Sequence, residues 1–278
     1  MSIRLGKIGY LNVLPIYHPL EQKLIDNDFE IVSGPPAALN RLMDNDELAL
    51  SAASSIEYAR HPEKYYLIPN LSIGSCGPVQ SVLLLSRYPV EELGGKTILV
   101  SSQSHTSAAL LKVLLSEHWR VDVEFRTGDA TSMLESGKRP AAILAIGDEA
   151  LNLRRHPDYP IRIDMGEAWR NLTGLPFIFG VWIVQRNKAE SLGPVMLDAC
   201  AKLIQAKVWG VQNMPKMCAL AAASSILNPK EMCSYFGGLV YDLGPEEQKG
   251  LHLFYENLHK TGMIPAVPEL KFVPGCGE

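Results

Sequence analysis

The chain has 278 residues, 47% of them hydrophobic and 20% charged, with a formal net charge of −4. That length exceeds one ordinary domain and the apolar share supports a large buried core, so two lobes of a globular protein are expected. The mild negative charge offers no handle on nucleic acid or an anionic membrane, and no stretch approaches the ~18 consecutive apolar residues that cross a bilayer.

The chain begins MSIRLGKIGYLNVLP. It has a basic start but neither a sustained apolar stretch nor a small-residue cleavage site, so a cytoplasmic location is expected. RLGKIGY reads as a strand, followed by a loop that carries Asn12, a helix that carries His18, and a second strand in FEIVSG. PAALNRLMDNDELAL then predicts an amphipathic helix, a turn and a small-residue strand over Leu48–Ala52. Ser54 and Ser55 open the next helix, which Arg60-His61-Pro62 punctuates as a stop. The apolar run Ser81–Arg87 leads into GKTILVSSQSHTSAALLKVLL, which repeats the strand, loop and helix. Five of the seven residues Ser101–Ser107 carry a hydroxyl, and Ser104, His105, Thr106 and Ser107 stand where a helix begins. DATSMLESGKRPAAILAIGDEALNLRRHP repeats the rest, with a strand over Ala141–Ile146, then Gly147 and Asp148, then a helix stopped at Arg155-His156-Pro157. Phe177–Arg186 is a second apolar run outside the repeat, and from about Lys188 the pattern is mainly helical.

The duplication predicts an α/β protein with two parallel-sheet lobes, each β-α-β-α-β-α, joined by two crossover strands, Ser81–Arg87 and Phe177–Arg186. Lobe I is expected over 1–85 plus 187–278, with the C-terminal helices on it and the Pro-rich tail over its surface; lobe II is expected over 86–186. Ligands of open parallel sheets bind beyond the carboxyl ends of strands, and inter-lobe clefts are favoured sites. The candidates there are Asn12, Ser54, Ser55, Ser104–Ser107, Gly147 and Asp148. Helix N-termini present unpaired N–H groups and partial positive charge, so two facing mouths lined with hydroxyls would grip a small molecule with an anionic group at each end. The competing reading makes Ser54 and Ser104 plain N-caps. Asp148 is equally a general base or the cap of its helix. His61 and His156 are expected at the surface.

The five cysteines form no CxxC pair, so free thiols are expected, with neither a disulfide framework nor a zinc site. No Walker loop, GxGxxG, HExxH or GxSxG is present. No metal and no cofactor is therefore expected, and any reaction should demand little of side chains.

GYLNVLPIY, SIGSCGPVQSVLLLS, SHTSAALLKVLL, AAILAIGDEAL and DMGEAWRNLTGLPFIFGVW, spread in order from Ile8 to Trp182, resemble the chorismate dehydratase family of the futalosine route to menaquinone. The resemblance implies a type II periplasmic-binding-protein-like fold and a lyase that converts chorismate, a small dicarboxylate, to 3-[(1-carboxyvinyl)oxy]benzoate and water. It points to Asn12 and Ser81 as catalytic. It leaves the AWRNLTGLPF loop without a derived role, and places His105 where some relatives carry arginine. Trp182, on the second crossover, either closes over the substrate ring or is a core residue of the hinge. No nucleic-acid or membrane partner is expected, and a homodimer is left open. Two rival readings are a 1,4-dihydroxy-6-naphthoate synthase, which would call for a well-placed histidine, and a binding protein without catalysis, as carrier or as sensor domain.

Overall fold

The computed structural model describes residues 2–277. In chain order the elements are β1 (Ile3–Ile8), α1 (Leu14–Glu21), β2 (Phe29–Gly34), α2 (Pro36–Asp44), β3 (Leu50–Ser54), α3 (Ser55–Arg60), β4 (Tyr65–Ser75) and β5 (Val82–Ser86). There follow β6 (Thr97–Val100), α4 (His105–Val113), β7 (Glu124–Thr127), α5 (Ala130–Glu135), β8 (Ala142–Ile146), α6 (Gly147–Leu153), β9 (Ile161–Asp164), α7 (Met165–Thr173) and β10 (Phe177–Gln185). The rest is helical apart from one short strand: α8 (Arg186–Leu192), α9 (Pro194–Gln212), α10 (Met214–Ala222), α11 (Pro229–Gly237), β11 (Leu239–Val240) and α12 (Pro245–Lys260).

Two sheets result, ordered β11-β4-β10-β3-β1-β2 and β7-β6-β8-β5-β9. Apart from the added β11 the two orders are the same. In each, a parallel trio (β2-β1-β3; β7-β6-β8) is extended by one antiparallel strand (β10; β5) and then by a strand antiparallel to that one (β4; β9), which runs with the trio. The sheets are therefore mixed: the predicted parallel part is the trio, and the two apolar runs outside the repeat supply the antiparallel strands. Strand allocation also departs from the expected lobe boundaries. β5 pairs with β8 and β9 in the second sheet, and β10 pairs with β3 and β4 in the first, so the chain crosses at residues 76–81 and again through α7. The physical reason is burial. β5 is buried at every position, with Leu84 in one apolar cluster and Leu83 and Leu85 in another, and its place between β8 and β9 covers both of its faces.

Of the C-terminal helices, α9 packs on α1 and α12 on β10 of the first sheet, while α12 also touches α4. α9 crosses α1 so closely that a Cβ on Gly210 would stand 1.9 Å from the Pro15 carbonyl oxygen, which restricts that contact to glycine. The tail returns to the first sheet, where Leu67 exchanges main-chain hydrogen bonds with Lys271 (2.8 Å) and Val273 (3.0 Å). The expectation of free thiols fails at one pair: Cys218 of α10 and Cys233 of α11 are disulfide-bonded, while Cys76, Cys200 and Cys276 are free. The pair lies fifteen positions apart, and the packing of α10 on α11 brings them together, which no local spacing rule announces. No described helix is long and apolar enough to cross a membrane.

Candidate active site

Both sheets end their parallel strands at one cleft. β1 delivers Asn12 on a 3-10 turn (Leu11–Val13), β3 delivers Ser54, β6 leads to the loop Ser101–Ser104, and β8 leads to Gly147. The cavity between them has a volume of about 100 Å³. Asn12, Ser54, Ser81, Ser104, His105, Thr106, Ser107, Gly147 and Trp182 all line it. Ser55 and Asp148 do not. Ser55 is fully buried, its Oγ 3.4 Å from Thr106 Oγ1. Asp148 follows Gly147 in the first turn of α6, its Oδ1 buried without a partner. Burial pushes the Asp148 carboxyl above the usual range, with the Leu11 main chain offsetting part of that rise.

Neither serine is a cap in the ordinary sense. Ser54 and Ser104 occupy N-cap positions, yet neither side chain accepts a bond from its helix. Ser104 Oγ instead donates to the Ser101 carbonyl at 2.7 Å, which tightens the hydroxyl loop on itself. Ser54 Oγ has no partner. The two helix mouths do face each other, but the first is not open to an anion. α3 is only six residues long, and its Ile56 N–H donates across the cleft to Thr106 Oγ1 at 3.2 Å. The cross-lobe hydroxyl thus satisfies the donor that a ligand was expected to take.

Three buried polar atoms without partners belong to residues lining the cavity: Asn12 Oδ1, Ser54 Oγ and His105 Nδ1. Buried polar atoms are ordinarily hydrogen-bonded, so several in one cavity mark where a ligand supplies the missing partners. Their setting is otherwise apolar, with Ile8, Val13, Val79, Val82, Phe179 and Trp182 among the walls, and among the described residues no lysine, arginine, aspartate or glutamate lines it. Trp182 is fixed in the wall, its indole N–H donating to Tyr17 Oη at 3.1 Å. Nothing among the described residues groups histidine, cysteine or carboxylate side chains as a metal site.

Some residues at the site escaped the sequence reading. Tyr10 lies across Gly147, whose φ of +55° and lack of a Cβ permit the contact: a Cβ there would meet the Tyr10 ring at 2.8 Å. Tyr10 Oη donates to Gln103 Oε1 at 3.1 Å, a second bond between lobes, and burial raises its phenol pKa to about 12. Both residues flank motifs already singled out, so proximity to the strand ends was the available signal. Tyr235 gives no such signal. It comes from α11, 154 positions away, and donates to Ser81 Oγ at 3.1 Å.

With this geometry in view, comparison with known proteins finds a family model described as menaquinone biosynthesis that matches residues 3–260. A chorismate dehydratase of Thermus thermophilus is 28% identical over 91% of this chain and 94% of its own length. One of Campylobacter jejuni is 30% identical over 66% and 68%. A 1,4-dihydroxy-6-naphthoate synthase of Thermus thermophilus is 28% identical over 98% and 99%. Among solved structures, a protein of Archaeoglobus fulgidus superposes with a TM-score of 0.75 at 20% identity, covering 95% of this chain and 98% of that one. The periplasmic aliphatic sulphonate binding protein of Escherichia coli gives 0.68 at 14%, covering 99% and 98%. The fold is thus periplasmic-binding-protein-like, two lobes about a cleft.

Proposed function

The chain belongs to the menaquinone biosynthesis family, and from that premise we propose that it is a lyase dehydrating chorismate to 3-[(1-carboxyvinyl)oxy]benzoate. The observation that carries this reading is the convergence of unpaired neutral polar groups, Asn12, Ser54 and His105, on an apolar cavity without a charged wall. Chorismate asks for such a site. Its C3 hydrogen is acidified through the conjugated ring carboxylate, and removal gives a dienolate delocalised onto that group. Departure of the neighbouring C4 hydroxyl makes the ring aromatic, which supplies the driving force. The protein has to orient the ring, stabilise charge growing on a carboxylate and assist the leaving hydroxide. In a cavity shielded from water, neutral donors perform the second task more strongly than they would in solvent.

Asn12 and Ser81 are the residues assigned to the reacting part of the substrate. Asn12 bonds the ring hydroxyl or the enolpyruvyl group, and Ser81 donates to a carboxylate or to the departing oxygen. Thr106, Ser107 and His105 hold a carboxylate from the second lobe on the loop that Ser104 tightens, and the unpaired Ser54 hydroxyl donates to the substrate from the first, with Gly147 and Trp182 shaping the walls. Neither Asn12 nor Ser81 is a base at neutral pH. The C3 proton passes to the enolpyruvyl carboxylate of the substrate itself, and it leaves with the C4 hydroxide as water, so the products balance as one aromatic ether and one water.

Incubation with chorismate tests the reading. Loss of the substrate with appearance of the aromatic ether supports it; tight binding without turnover overturns it in favour of a carrier or sensor. His105, with its unpaired Nδ1, is the feature that favours the second reading, a 1,4-dihydroxy-6-naphthoate synthase. An intact chorismate pool beside turnover of that enzyme's substrate would select it.

A further inference from the structure

The AWRNLTGLPF stretch, which the sequence left without a role, is preceded by Asp164-Met165-Gly166-Glu167, and the Asp164 carboxylate binds in two directions. Toward its own helix, Oδ1 accepts the N–H groups of Gly166 (3.0 Å) and Glu167 (3.1 Å), an N-cap of α7. Toward the crossing segment, Oδ1 accepts the Val79 N–H at 2.9 Å and Oδ2 the Gln80 N–H at 2.7 Å. An N-cap requires only the first pair. The second pair holds a strained turn. Gln80 has a φ of +61°, and the Ser81 N–H closes back onto the Val79 carbonyl at 2.8 Å, the three-residue γ-turn that side-chain-bearing residues seldom adopt. Such backbone persists only where its surroundings over-determine it.

The surroundings do so from several sides. The Ser81 carbonyl accepts the Gly147 N–H at 2.7 Å, Gln80 Nε2 donates to the Ser234 carbonyl at 3.1 Å, and the Tyr235 phenol donates to Ser81 Oγ at 3.1 Å. α7 presses close to the same segment: a Cβ on Gly166 would stand 2.5 Å from the Gly77 carbonyl oxygen. Ser81 is consequently buried, with its hydroxyl oxygen already accepting one bond and its hydroxyl proton free to point at the cavity it lines.

We propose that Asp164 is a positioning residue for Ser81: its carboxylate locks the Val79–Ser81 turn in the conformation that aims the Ser81 hydroxyl at the ligand, while Tyr235 occupies the hydroxyl oxygen so that Ser81 acts as donor. This rests on the reading that Ser81 serves chorismate dehydration.

The test uses Asp164→Asn, since asparagine caps a helix as well as aspartate does but has one acceptor oxygen in place of two. A capping role alone leaves catalysis unchanged. The positioning role predicts a loss in kcat on the order of tenfold to a hundredfold, as for a misplaced reacting group, with KM within about threefold. It also predicts that the same substitution costs nothing further in a Ser81→Ala background, read by single-turnover product formation. Tyr235→Phe, which keeps the ring and its packing, provides a second variant should Asp164→Asn fold poorly, and a several-fold lower kcat at unchanged KM is expected. Unchanged kcat in a folded Asp164→Asn or Tyr235→Phe protein, or an equal fold-loss with and without Ser81, overturns the proposal. Failure of the unaltered chain to convert chorismate overturns the underlying reading, and this inference with it.

Discussion

Asn12 and Asp148 look equally eligible in the sequence, each a polar residue just past a strand end, but the fold separates them. Asn12 sits on the 3-10 turn with Oδ1 unpaired at the cavity, whereas Asp148, in the first turn of α6, does not line it. Strand-end position was legible; the direction a side chain takes from a helix start depends on the positive φ of Gly147 and the ring of Tyr10 over it, which belong to tertiary structure. Turnover should therefore fall by about a hundredfold in Asn12→Ala and Ser81→Ala, the scale of losing one preorganised polar contact to a reacting group, and should persist in Asp148→Asn. Abolished turnover in Asp148→Asn alone would make Asp148 the base and end the substrate-assisted account. Asp148→Asn carries a second expectation for stability. Burial raises the Asp148 pKa in the folded chain above its ordinary unfolded value near 3.9, so the folded state holds the proton longer and wild-type stability declines as pH rises through the interval between the two. Asparagine does not titrate. Thermal unfolding at pH 4 and pH 7 should show the variant gaining on wild type toward neutral pH, and a variant that loses ground there would mean the carboxylate is well paired.

Among the elements, the β-α alternation made the parallel trios readable, because a helix after a buried strand has few ways to return except to a parallel neighbour. The antiparallel members were harder. A run such as VLLLS is equally apolar wherever it pairs, and only the cover on both faces decides that β5 belongs to the second sheet. α11 is the clearest element that sequence could not place. Its generic amphipathic pattern conceals two long-range anchors, the disulfide from Cys233 to Cys218 and the bond from Tyr235 to Ser81. Closing a loop of that length stabilises by about 3 kcal/mol in the chain-entropy account. A chemical reductant should accordingly lower the melting temperature by several degrees, and Cys233→Ser should show the lower value with or without reductant. Equal melting temperatures for oxidised wild type and Cys233→Ser would mean that the bond adds nothing to the fold.

Taken whole, the molecule joins its lobes at the cleft by the neutral bonds from Tyr10 to Gln103 and from Ile56 to Thr106, and away from it by ion pairs of Arg154 and Arg155 with Glu231 and of Lys260 with Glu117. The cavity at the cleft, about 100 Å³, falls short of the roughly 300 Å³ at which ligand pockets begin. A ring bearing two carboxylates therefore needs more room than the cleft offers with its lobes this close, so the bonds that span the cleft compete with binding. That competition gives Thr106→Val a definite consequence. Valine matches threonine in shape but accepts no hydrogen bond, so the Ile56 N–H loses its partner and the closed state is weakened by about 1–3 kcal/mol. In the unliganded protein the open population should rise, seen as a larger radius of gyration in solution scattering, since a shift of that size changes a two-state ratio by roughly fivefold to a hundredfold. Thr106 also lines the site, so the effect on turnover separates two roles. Were Thr106 only a latch between lobes, saturating chorismate would restore both compactness and kcat; as a carboxylate contact as well, it should leave the liganded variant compact but slower. A radius of gyration identical in wild type and Thr106→Val without ligand would show that the cross-cleft bond does not set the closed state.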